Sequence, residues 1–216
     1  MTQPSPDVLR GITRSYLFLR RSIGVIGMAL PFVLFGYHSA QAHKVLFRGS
    51  ISSYYYTEMR DVFVGSLAAI GVFLICYRFR RLDNVLSNIA GVMAIGVALF
   101  PATPPDPTHM EILVGRAHGV FAGVLFGLLA LFCFVSFPKV DNATGTVTER
   151  KVARNRIYRT CGVLIVLSML VVLACELLDV PRSFVDTYRP VFFAESVAVI
   201  AFGLSWFVKG GTIMRD

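Results

Sequence analysis

The sequence predicts an all-α integral membrane protein, one domain of 216 residues built as a six-helix bundle with both termini inside. Three observations carry this. Hydrophobic residues make up 55% of the chain and mean hydropathy is +0.65, well above the soluble range. Apolar stretches of spanning length recur along nearly the whole chain. Basic residues gather in alternate loops, as the positive-inside rule requires.

Residues 1–21 form a basic N-terminal flank, with Arg10, Arg14, Arg20 and Arg21 interleaved with apolar residues at helical spacing. The first span is read over 22–38 and contains Pro31, which membrane helices tolerate. The small triplet Ala40-Gln41-Ala42 also resembles a signal-peptide cleavage site, but a basic-flanked, uncleaved first span is the commoner start for a multi-span chain. An external loop leads to SSYYYTEMRD, and the second span runs over 61–77. The turn RFRRLD follows, then a third span over 84–100 that stops at PATPPDPTH, where four prolines forbid helix.

The fourth span, 112–137, holds Gly115, Gly119, Gly123 and Gly127 at four-residue spacing. These glycines share one helical face and predict a close helix approach, within the bundle or at a homo-oligomer seam. A basic loop over 138–156 contains the sequon Asn142-Ala143-Thr144, read as coincidental on a cytoplasmic loop. The fifth span covers 157–178 and the sixth 190–208. Cys76, Cys133, Cys161 and Cys175 all fall in spans without metal-type pairing and read as packing residues.

With six spans and the N-terminus inside, 15 of the 21 basic residues lie inside, leaving about +10 inside and −2 outside. The formal charge of +8 therefore follows topology and is not a nucleic-acid footprint. The same topology places His38, Asp61, His118, Glu176 and Glu195 in one layer near the outer ends of five spans. His118 lies about 6–9 Å below the outer end of its span at 1.5 Å per residue. Ionisable groups at such depth avoid lipid and point to function or to paired structure.

Three readings of the layer follow. A subset of the five could bind Zn²⁺ and activate water, although no HExxH spacing is present. Asp61, His118 and Glu195 could instead line an outward pocket for a small or lipid-like ligand, with Arg60, Arg116 or Arg189 taking a phosphate or carboxylate. In the structural reading, Glu58 or Asp61 pairs with Arg60 or Arg116, and Glu195 finds hydroxyl partners. Tyr54, Tyr55 and Tyr56 read as an interfacial aromatic belt beside membrane lipids. Nucleophilic catalysis finds no elbow motif, although Ser52, Ser53 and Ser66 lie near the layer.

The segments SISSYYYTEMRDVFVGSLAAIGVFL, NIAGVMAIGVALFP and RAHGVFAGVLF resemble a group of uncharacterised bacterial six-span membrane proteins. That resemblance implies a multi-pass protein of the bacterial inner membrane. The chain is also faintly similar to the ceramidase and progestin-receptor-like membrane hydrolases, which hold zinc with Asp and His. On that similarity Asp61 and His118 are ligands. The chain departs from those hydrolases in its span number and in lacking their paired histidines.

Overall fold

A computed structural model describes residues 5–79, 81–139, 148–178 and 180–212, and among these it is helical without strands. The seven α-helices are α1 (Pro6–Gln41), α2 (Arg60–Cys76), α3 (Arg81–Leu99), α4 (His109–Leu131), α5 (Glu149–Leu177), the short α6 (Arg182–Tyr188) and α7 (Pro190–Lys209). A π-helical turn, Phe132–Ser136, extends α4, and a 3₁₀ turn, Ser52–Tyr56, precedes α2. The sequon at 142–144, Arg80 and both chain ends lie outside the described residues.

Each expected span coincides with a helix. Five helices, α1, α3, α4 with its π turn, α5 and α7, are long and apolar enough to cross a membrane. At 17 residues α2 is shorter, about 26 Å at 1.5 Å per residue. The six long helices neighbour one another in chain order, and α7 closes back on both α5 and α1.

The basic flank is not separate from the first span. Ser5 caps α1 by accepting from the Val8 N–H, Pro6 occupies the first turn, and the helix then runs for 36 residues through Pro31. Arg20 and Arg21 consequently lie within α1, where they reach the C-terminal end of α7. Arg20 donates to the Lys209 carbonyl at 3.1 Å, and Arg21 to that of Gly210 at 3.2 Å. Two orphan carbonyls of α7 thus gain cationic donors at the negative end of its dipole.

Within the chain, glycines do draw helices together, but at positions other than the four of α4. A Cβ on Gly203 would stand 2.6 Å from the Met28 backbone nitrogen, and one on Gly24 2.8 Å from the Gly203 carbonyl. Gly71 and Gly91 form the corresponding reciprocal crossing of α2 and α3, where a Cβ on either would stand 2.8 or 2.6 Å from the other's carbonyl. Backbone meets backbone at both crossings, which only glycine allows. In α4, by contrast, Gly115 packs against Thr103 of the proline loop. A Cβ placed on Gly119, Gly123 or Gly127 would meet no atom within 4 Å, so their face is open.

Candidate functional site

The chemistry gathers at the end of the bundle that carries the 42–59 and 100–108 loops and α6. His118 is the buried polar residue of α4, 6% exposed. Its Nδ1 lies 2.6 Å from the Phe100 carbonyl oxygen and its Nε2 2.9 Å from Ser52 Oγ. A carbonyl only accepts, so Nδ1 carries the hydrogen and the neutral ring's Nε2 accepts from the Ser52 hydroxyl. His118 thereby ties α4 to the end of α3 and to the 3₁₀ turn.

From α7, Glu195 reaches the same turn, its Oε2 accepting the Ile51 N–H at 2.6 Å. That N–H sits at the start of the turn, where no intrahelical partner exists. The carboxylate therefore holds the main chain one residue before Ser52. The structural reading of Glu195 expected Tyr or Ser hydroxyl partners; main-chain N–H groups take that place.

His118, Glu195 and Glu176 all line one cavity of about 570 Å³ between α4, α5 and α7. Below this polar end the walls are apolar except at Ser168. Gly119, Gly123 and Gly127 form the α4 side, with Phe126 and Phe134, and Met169 and Leu173 face them from α5. The groove exists because those three glycines present no side chains where α4 and α5 part. From His118 to Phe134 it spans about 24 Å of helix.

The remaining layer residues are elsewhere. His38 donates from Nδ1 to Glu58 Oε1 at 2.7 Å and packs edge-on against Tyr54. That hydrogen bond holds the Glu58 carboxyl below the usual glutamate range. Glu58 thus pairs with His38, not with Arg60 or Arg116. Asp61 is exposed in the first turn of α2, where its charge favours the helix dipole. Arg60 donates to the Tyr55 hydroxyl at 2.6 Å and lies over that ring, and Arg116 is exposed; neither lines the groove. Among the described residues no group of three or more His, Cys, Asp or Glu converges on one point.

The three tyrosines do not share one face. Tyr54 is fully buried against Phe192, Tyr55 lies beneath Arg60, and the Tyr56 hydroxyl donates to the Ala102 carbonyl at 2.6 Å. The 3₁₀ turn points consecutive rings in different directions, so one enters the core and one fastens the proline loop. Sequence reasoning put Ser52 near the layer without a role. No local signal pairs it with His118, which stands 66 residues away.

Fold and site together have the make-up of a multi-pass helical membrane protein with an apolar groove closed at one end by a histidine and two carboxylates. No family model matches the chain, and neither the curated proteins nor the solved structures contain a match.

Proposed function

We propose that this is a six-span inner-membrane protein, with both termini inside, whose α4–α5 groove binds a lipid-like amphiphile. The hydrocarbon chain lies along Gly119, Gly123 and Gly127, and the polar head meets His118, Glu176 and Glu195. The observation that carries this reading is the glycine-walled groove with its ionisable groups at one end alone. An apolar wall of this kind suits an acyl chain, and a few convergent polar groups suit its head. The charge balance supports the orientation, with the groove's polar end outside. The bacterial location rests on the resemblance of residues 50–135 to bacterial six-span proteins.

The test is photocrosslinking of the detergent-solubilised protein with a C16 alcohol bearing a diazirine midway along its chain. Adducts are expected on groove residues, and Gly123→Leu should reduce them at least roughly tenfold, as one blocked apolar site is worth about 1.5–3 kcal/mol. Adducts spread evenly over the outer helix surfaces, unaffected by Gly123→Leu, would overturn the reading. If Gly123→Leu instead converts a dimer to a monomer, the groove receives a helix from a second copy and the lipid reading falls. In a cysteine-free background, a membrane-impermeant maleimide added outside should label Lys44→Cys and not Glu149→Cys.

A further inference from the structure

We infer that Ser52 and His118 are a nucleophile and general base, and that the protein cleaves an acyl ester held in the groove. The inference rests partly on the groove reading for its substrate, but its chemistry stands on a separate chain of hydrogen bonds. Ser52 Oγ lies 2.9 Å from His118 Nε2, and His118 Nδ1 lies 2.6 Å from the Phe100 carbonyl. Acyl transfer needs a nucleophile bonded to a base whose second nitrogen is held by a third group. Here a main-chain carbonyl is that third group. Because it cannot donate, it leaves Nε2 unprotonated and facing the hydroxyl.

Purely structural serines usually satisfy themselves against a nearby carbonyl, as Ser196 does with Phe192 and Ser205 with Phe202. Ser52 instead bonds an imidazole from a helix far along the chain, and that imidazole lines the groove. Glu195, at the same end, fixes the Ile51 N–H and so the main chain that carries the nucleophile. It is a positioning residue.

The reaction is hydrolysis of a long-chain acyl ester. Ser52 Oγ bonds to the ester carbonyl carbon as its proton passes to His118 Nε2. The ester C–O bond then breaks, and the alcohol leaves with that proton. Water adds to the acyl–serine carbon, giving a proton to His118. The Ser52 oxygen departs, recovers the proton, and the fatty acid is released. Water is the sole co-reactant.

Alkyl fluorophosphonates test the dyad directly, since the serine oxygen forms an O–P bond as fluoride leaves and the proton passes through His118 to water. Ethyl and hexadecyl probes are applied to the solubilised full chain, and adducts are located by peptide mass. Both are expected on Ser52. His118→Gln should slow labelling roughly 100-fold or more, the usual worth of a positioned base. Gly123→Leu should lower the hexadecyl rate relative to the ethyl rate about tenfold. Absence of a Ser52 adduct with either probe, on wild-type protein with an intact thermal transition, overturns the dyad whatever the amphiphile crosslinks show. Ethyl labelling of Ser52 with an unmoved chain-length ratio upholds the dyad and removes the groove as its substrate site.

Discussion

Glu195 accepts the Ile51 N–H at 2.6 Å across 144 residues of sequence, fastening α7 to the loop that precedes α2. This bond and the His118–Ser52 bond meet on adjacent residues of one short turn, so the turn is held from two helices at once.

Glu195→Leu should therefore loosen that turn. Leaving the Ile51 N–H without its acceptor costs about 1–3 kcal/mol. Glu195→Gln keeps an acceptor oxygen and should cost less. Hydrogen exchange at residues 50–57 is the measurement, and equal protection in Glu195→Leu and wild type would contradict the assignment.

The glycines separate into two kinds that a melting curve distinguishes. Gly203→Ala and Gly91→Ala drive a Cβ to 2.6 Å from backbone atoms of the neighbouring helix, and overpacking of this sort costs about 1–3 kcal/mol. Gly123→Ala meets nothing within 4 Å and removes a flexible residue from a helix interior. It should match wild type or melt higher, by up to about 1 kcal/mol. A lowered midpoint for Gly123→Ala would show that its face is packed.

Arg20→Lys should not be conservative. The guanidinium lies 4.3 Å above the Tyr16 ring while donating to Tyr16 Oη, Tyr77 Oη and the Lys209 carbonyl. One ammonium cannot keep that planar fork. The loss expected is about 1.5–3 kcal/mol, in line with hydrogen bonds to charged groups. Since Tyr77 stacks edge-on against Trp206, the change should also shift tryptophan emission.

The His38–Glu58 bond predicts a small acid sensitivity. Glu58 is held below its ordinary value of 4.5 in the folded chain, so this contribution is full above that value. It is lost as pH falls through the lowered folded value. The Glu58 side chain is 42% exposed, and solvent screening keeps the effect below about 1 kcal/mol. The difference in melting temperature between wild type and Glu58→Gln should shrink on acidification below pH 4.5. A constant difference would mean that the bond does not depend on the Glu58 charge.

Much of the fold is legible in the chain because helix length and apolarity are local properties. The stop at Phe100 and the restart at His109 follow from the prolines between them and from Thr108 and Glu111, which form a capping box. The extension of α1 back to Pro6 was legible too, in Ser5, Pro6 and Asp7, but the arginines disguised it as a surface flank. The site was readable only as depth. Depth groups His38, Asp61, His118, Glu176 and Glu195 together, yet facing depends on helix rotation, which isolated ionisable positions do not specify.

By itself, then, the sequence determined the six long helices and their order, since long apolar stretches that must satisfy their own backbone read as helices; the short α6, in a stretch read as loop, it did not. Tertiary structure alone decided which polar groups meet. It turned His118 and Glu195 toward one 3₁₀ turn, sent Asp61 and Arg116 outward, and buried Tyr54. It also decided what the glycines do. The same absence of a side chain joins α1 to α7 at Gly24 and Gly203, and opens a groove at Gly123, because only in the first case does another backbone arrive to fill the space.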